Sequence, residues 1–212
     1  MNDPPSETVR LLERLRAGER GVLADLFQQH RDRLRRMVEL RIDARVRSKV
    51  DPSDVLQEGF LDVAKRVENY LSDPKVPVFL WLRLVIGDRL AMVHRRHLGT
   101  RMRDVSHEVS LARDPLPEVS SAALSAMLLE GRTSPSNAAI RAERIRRVRE
   151  AVDSLDPVDR EVVALRHFEQ LSRAETAVVL GITEEAGAKR YTRAMKKLRT
   201  ILAAMRDGQG GT

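Results

Sequence analysis

Six cationic residues, Lys189, Arg190, Arg193, Lys196, Lys197 and Arg199, share one stretch of chain with Tyr191, Ala194, Met195, Leu198 and Leu202 at helical spacing. A helix of that composition packs one stripe and presents the other as a row of ammonium and guanidinium donors. Such donors suit guanine edges and phosphates in a major groove, and a helix N-terminus favours a phosphate. Immediately before this stretch runs Gln170-Leu171-Ser172-Arg173-Ala174-Glu175-Thr176-Ala177-Val178-Val179-Leu180-Gly181-Ile182-Thr183. Ser172 with Glu175 three residues later forms a capping box, which predicts a short helix burying Ala174, Ala177, Val178 and Leu180. Gly181 can adopt the left-handed conformation of a sharp turn, Ile182 fills the angle, and Thr183 caps the next helix. Helix, turn and basic helix together are the grammar of a duplex-DNA reader, which predicts a helix-turn-helix over about Asp156 to Met205. The cations alone would be no more than a solvated face; the capped turn before them gives them a use.

Other chemistries leave no comparable trace. The chain holds no cysteine, which excludes disulfides and thiolate metal sites and fits a reducing compartment. His94 and His97 are spaced like two metal ligands, but Arg95 and Arg96 lie between them and no third ligand is near, so no metal is assigned. No phosphate-binding glycine loop and no nucleophile elbow occurs, so neither a catalytic site nor a cofactor is expected.

These side chains sit on a chain of 212 residues with a formal charge of +7 and 42% hydrophobic, 33% charged and 3% aromatic residues. Abundant Leu, Ala, Arg and Glu with few aromatics predict an all-α fold, and the basic balance favours a polyanionic partner. No apolar run reaches the ~20 residues of a membrane span, and the N-terminus lacks the pattern of a signal peptide, so the expected location is cytoplasmic, without membrane insertion.

Helical spacing predicts two domains and a flexible linker. The first, residues 1–98, has a helix from Glu7 to Ala17 closed by Gly18, then a second with Leu23, Leu26, Phe27, His30, Leu34, Met37, Val38 and Ile42 in one stripe. Asp51-Pro52-Ser53-Asp54 opens a third, with Leu56, Phe60, Val63, Ala64, Val67 and Tyr70 inward and Asp54, Gln57, Glu58 and Leu61 in a separate outward strip. A fourth spans Val78 to about His97. Residues 99–135 read as a linker with one apolar patch at 122–129, free to bind a partner or fold back on either domain. Residues 136–206 form the helix-turn-helix domain, with helices from Ala138 and Pro157, and 207–212 a disordered tail.

The run Leu155-Asp156-Pro157-Val158-Asp159-Arg160-Glu161-Val162-Val163-Ala164-Leu165-Arg166-His167-Phe168 through Lys197-Leu198 closely resembles the promoter-binding domain of bacterial RNA polymerase sigma factors. Asp51-Pro52-Ser53-Asp54-Val55-Leu56-Gln57-Glu58-Gly59-Phe60 looks like the core-binding helix of the same family, and Phe79-Leu80-Trp81-Leu82-Arg83 through His94-Arg95-Arg96 like its melting and −10 segment. Two such domains and a linker resemble the small extracytoplasmic-function type of the sigma-70 family.

The resemblance implies a non-enzymatic specificity subunit that binds polymerase core and promoter DNA; an anti-sigma partner is common for such factors. It implies that Asp54, Gln57, Glu58 and Leu61 dock on polymerase. Trp81, Arg83, Asp88, Arg89, Arg95 and Arg96 would meet the −10 element, aromatic surface and positive charge suiting unstacked bases. Ser172, Arg173, Thr183, Glu184, Lys189, Arg190, Arg193 and Lys197 would meet the −35 element. Trp81 suits the core as well as DNA, since an indole buries readily when its N–H finds a partner. The chain departs from the pattern at Asp88, where relatives commonly hold Asn and an ionised carboxylate cannot donate a hydrogen bond, and at Gly187, which replaces an aliphatic residue. A free-standing helix-turn-helix activator or repressor explains the C-terminus equally well, but not the joint presence of the Asp54-Gln57-Glu58 strip and the Trp81 helix. A nuclease would need a metal or nucleophilic site that the sequence lacks.

Overall fold

The architecture is that of a computed structural model, which describes residues 5–98, 116–130 and 138–207. Most of the expected linker (99–115 and 131–137) and nearly all of the expected tail (208–212) lie outside the described residues. Among those described the protein is all helical, without strands, and the chain divides into two compact units, residues 1–117 and 118–212.

The first unit comprises α1 (Pro5–Arg16), α2 (Val22–Arg41), α3 (Ala44–Arg47), α4 (Pro52–Ser72) and α5 (Val78–Leu98). Gly18, at φ +91°, lets the chain reverse between α1 and α2. The central helix α2 packs against α1, α4 and α5, and its stripe Leu26, Leu34, Met37 and Leu40 is fully buried with Leu56, Leu82, Ile86 and Leu90. Each such leucine contributes ~1.5–3 kcal/mol by leaving water, well above the ~0–1 kcal/mol of an exposed ion pair, so the apolar stripes decide the packing.

Start signals are realised as side-chain caps. The Ser53 N–H donates to Asp51 Oδ1 at 2.7 Å and the Asp51 N–H reaches Asp54 Oδ2 at 3.4 Å, closing a capping box at the head of α4. The short α3 was not expected from periodicity. One turn suffices there because Asp43 caps the Arg45 N–H at 2.8 Å and Val46 is buried.

Close approach of α4 and α5 depends on Gly59: a Cβ there would collide with Cδ1 of the buried Ile86. Charge pairs flank the contact. Arg66 bonds Asp88 at 2.8 Å, and Arg89 bonds Asp62 through Nε at 2.7 Å and Glu58 through Nη1 at 3.3 Å. The inner face of α4 is therefore rotated slightly from the expected one. Val55 and Gly59 are buried with Leu56, Val63, Val67 and Tyr70, whereas Ala64 is exposed.

The second unit holds α6 (Ser121–Leu129), α7 (Ala138–Asp153), α8 (Pro157–Val163), α9 (Arg173–Leu180) and α10 (Glu184–Asp207), with a π-helical turn over Ala164–Phe168. The apolar patch in the expected linker is thus a helix. Ser120 caps it through the Ala123 N–H, and Ala123, Leu124, Leu128 and Leu129 are buried where it packs on α7. Its approach is fixed by the Val119 N–H on Glu161 at 3.1 Å and by Arg160 donating to the Ser121 hydroxyl at 2.8 Å. On the other side of Pro117, Leu116 lies so close to Gly87 of α5 that no Cβ fits between them. The described part of 99–135 is therefore anchored within each unit.

Two predictions follow from the first unit. Gly59→Val must push Ile86 from a filled site and should lower stability by ~1–3 kcal/mol, read as a lower thermal midpoint with unchanged helix content at low temperature. His94 accepts the Asp43 N–H at 3.2 Å through Nε2, which requires neutral imidazole, and burial lowers its pKa against the opposing pull of the Asp43 carboxylate. With the folded pKa below the unfolded one, this stabilisation is complete above about pH 6.5 and fades as pH falls through the folded value. The midpoint should drop between pH 7 and 5, and His94→Gln should flatten that drop; an unchanged slope in the variant would show that His94 is not its source.

Candidate nucleic-acid interface

The predicted turn is built as read. Ser172 accepts the Glu175 N–H at 3.1 Å, and the Ser172 N–H donates to Glu175 Oε2 at 2.7 Å. Gly181, at φ +62°, ends α9, and its neighbour's N–H returns from Ile182 to the Ala177 carbonyl at 3.1 Å. Thr183 opens α10 by accepting the Ala186 N–H at 3.2 Å. Upstream, the π turn and a left-handed Gln170 (φ 56°) redirect the chain so that Leu165, Phe168 and Leu171 are all buried. Arg166 donates to the Leu171 carbonyl and lies 5.8 Å over the Tyr191 ring, joining this bend to α10.

The inner face of α9 differs from expectation. Thr176 and Ala177 are buried, while Ala174 is exposed and Val178 is 61% exposed. An eight-residue helix fixed in phase by its capping box turns only one narrow edge inward, and the Thr176 hydroxyl can lie on that edge because it bonds the Ser172 carbonyl at 2.8 Å.

On α10, Gly187, Ala194 and Leu198 mark the buried edge. The basic face divides in two. Arg190, Arg193 and Lys197 lie along one flank and are tied to the unit beneath. Arg193 grips Asp159 with Nε at 3.0 Å and Nη2 at 2.7 Å, Arg190 reaches the same carboxylate at 2.8 Å, and Lys197 donates to the Ser154 carbonyl at 2.7 Å. Asp159 is buried, whereas the Arg193 side chain stays 65% exposed. Opposite the buried edge, Glu185, Lys189, Thr192 and Lys196 face solvent, with Lys189 paired to Glu185 one turn back. Glu184, Arg173, Ser172 and Thr183 are exposed at the N-terminal end of the same surface. Sequence reading thus missed Thr192 and Lys196 as centre-line residues. The signal was available, since both fall roughly 120–160° around the helix from Ala194 and Leu198 at about 100° per residue.

In the first unit, Trp81 is 4% exposed and stacks on Tyr70 at 4.4 Å between ring centres, and Arg83 is equally buried. Of the two readings open for Trp81, the structure takes the core. Tyr70 supplies its partner ring, and α5 is apolar almost all round in its first half. Neither Trp81 nor Arg83 offers a surface to DNA in this structure. Arg95 and Arg96 are reachable on the last turns of α5; Asp88 and Arg89 are engaged with Arg66 and with Asp62 and Glu58. The outward strip of α4 is present, with Asp54, Gln57 and Glu58 exposed and Leu61 59% exposed, and Met92 of α5 is 40% exposed beside Arg89. Among the described residues no group of three His, Asp or Glu could hold a metal ion, and no helix is long and apolar enough to cross a membrane.

A family profile described as "Sigma-70, region 4" matches residues 145–198, the span of the helix-turn-helix just described. The chain is 26% identical over 191 residues to the ECF RNA polymerase sigma factor SigD of Mycobacterium tuberculosis, covering 90% of this chain and 82% of SigD. It is 27% identical over 198 residues to the RNA polymerase sigma factor CarQ of Myxococcus xanthus, covering 92% and 97%. The profile and these relatives support a sigma-70 family factor of the extracytoplasmic-function type, serving promoter-directed initiation of transcription. Its fold is similar to that in the structure of CnrH in complex with the cytosolic domain of CnrY, with a TM-score of 0.52, 22% identity and coverage of 92% and 96%.

Gly187 of α10 is open to substitution. A Cβ there would meet only Ile182 Cδ1 at 3.7 Å, an ordinary contact, and the backbone is helical. Gly187→Ala should therefore raise the stability of the second unit by ~0.5–1 kcal/mol, seen as a higher thermal midpoint. A lower midpoint would show that the glycine is needed for the packing of α10.

Proposed function

We propose that the two units divide the work of a sigma factor, the first holding polymerase core and meeting the −10 element, the second reading the −35 element as duplex. The observation that carries this reading is the pair of separate, exposed, chemically distinct surfaces: the acidic and amide strip of α4 and the basic centre line of α10. The α4 strip joins Asp54, Gln57 and Glu58 to an exposed Leu61, and an apolar side chain ringed by polar ones is the composition of a protein interface. Met92 of α5 is a second exposed apolar side chain, beside Arg89. Arg89 supports the strip by holding Glu58 from the side.

For the −35 element, a helix in the major groove meets bases along the centre of its exposed face and phosphates along its flanks. Lys189, Thr192 and Lys196, with Glu184, Arg173 and the two cap residues Ser172 and Thr183, occupy the first place. Arg190, Arg193 and Lys197 occupy a flank. For the −10 element the exposed candidates are Arg95 and Arg96, with Asp88 and Arg89 tied into the α4–α5 contact and Trp81 and Arg83 supporting the helix from within. The factor acts without catalysis of its own, in the cytoplasm, with an anti-sigma protein as a further partner.

The test joins the purified protein to sigma-free polymerase core and a supercoiled promoter library. A stable complex and new transcription starts are expected; neither would appear for a free-standing repressor. Glu58→Lys, and separately Leu61→Asp, should abolish or greatly weaken core binding and leave duplex-DNA binding by the full chain unchanged. Loss of both together would count against separate roles for the two surfaces.

A further inference from the structure

We infer that Asp159 is a specificity-determining residue, one that withholds Arg190 and Arg193 from the phosphate backbone so that the centre line of α10 decides binding. The inference rests on the −35 reading proposed above.

The geometry is that of a masked charge pair. Asp159 lies in the first turn of α8 with its side chain only 5% exposed, and it receives four hydrogen bonds from two guanidinia of α10. Arg193 is bound in the bidentate manner that fits a carboxylate best. Arg190 has a second carboxylate, Asp156, at 3.5 Å. Both arginines remain within reach of solvent, at 34% and 65% side-chain exposure, so they are placed to find a phosphate if nothing else held them.

A phosphate approaching that flank must compete with an anion already in place. Affinity drawn from phosphates is blind to sequence and grows with each cation free to neutralise one. A recognition helix with all its cations free would hold any duplex. By pairing two of them from below, Asp159 lowers this sequence-independent share while leaving Lys189, Thr192 and Lys196 untouched. The carboxylate is not the N-cap of α8, which is Asp156, accepting the Val158 N–H at 2.9 Å.

Asp159→Asn is the test, because the amide keeps the shape and removes the charge. Neither arginine is then left as a buried unpaired cation. The full chain, assembled with polymerase core, is measured on duplex promoter DNA and on the same duplex with the −35 segment scrambled, from 50 to 200 mM salt. The variant should bind the scrambled duplex more tightly and show a smaller ratio of promoter to scrambled affinity. Its salt slope should steepen by about 0.9 per phosphate gained, a factor of about 3.5 per phosphate across that salt range. Adding Arg193→Ala to the variant should remove the gain.

Uniformly weaker binding, or no change in slope or ratio, would overturn the inference, since a purely structural Asp159 can only weaken. If Asp159→Asn lowers the thermal midpoint enough to compromise folding, Arg193→Ala alone decides. A masked arginine predicts a slope change well under the 0.9 of a phosphate contact, and a full loss of 0.9 would show that Asp159 does not withhold it. A wild-type complex that ignores the −35 segment would sink the underlying reading, recognisably before any variant is compared.

Discussion

A helix that gathers six cations between residues 189 and 199 can hold its place only by its apolar edge and by anions set beneath it. In α10 the edge is Gly187, Ala194 and Leu198, and the main anion is Asp159. The rest of the second unit follows from supplying these. α8 must begin at Asp156-Pro157 to bring Asp159 under the flank of α10, and the Ser154 carbonyl must end α7 where Lys197 can reach it. The π turn then redirects the chain into α9, so that its capping box and Gly181 deliver α10 at the required angle. Burial supplies most of the energy; the ion pairs select one rotational setting of α10 among those its leucine and alanine edge would allow.

The first unit solves a related problem with the signs exchanged. Its outward strip is acidic and the stabilising cation, Arg89, comes from the neighbouring helix. Because Gly59 lets α4 and α5 approach closely, Arg89 can bind Asp62 and still touch Glu58. Glu58 is thereby presented with part of its charge already answered, as Arg193 is on α10. In both units an exposed charged side chain is held by an opposite charge on the helix behind.

Much of this was legible in the sequence because caps and turns are local. Asp51-Pro52, Ser172 with Glu175, and Gly181 each specify their geometry through residues within four positions, and each is found as read. Most of the helical stripes were legible for the same reason, down to the exposure of Leu61, but α9 turns Thr176 inward and leaves Ala174 and Val178 exposed. What escaped depends on partners distant in sequence. The pairing of Asp159 with Arg193 spans 34 residues, and Arg66 with Asp88 spans 22; no periodicity marks either. Trp81 was ambiguous until Tyr70 stood beside it, and Ser121–Leu129 was read as linker because a short run of apolar residues broken only by serine gives no face until α7 supplies one.

The departures at Asp88 and Gly187 differ in kind once the neighbours are known. Asp88 has a structural reason: it answers Arg66 across the α4–α5 contact, and an amide there would leave that guanidinium without its counter-charge. A side chain engaged in this way can meet a base only by releasing Arg66, so the exchange of Asn for Asp alters the helix contact as well as the donor. Gly187 answers nothing, as the space at its Cα is open apart from Ile182. It lies four residues beyond the Thr183 cap, in the first turn of α10, where a missing Cβ chiefly loosens the backbone. The two departures therefore act on different quantities. Asp88 couples α5 to α4, and Gly187 sets how firmly the leading turn of α10 is held.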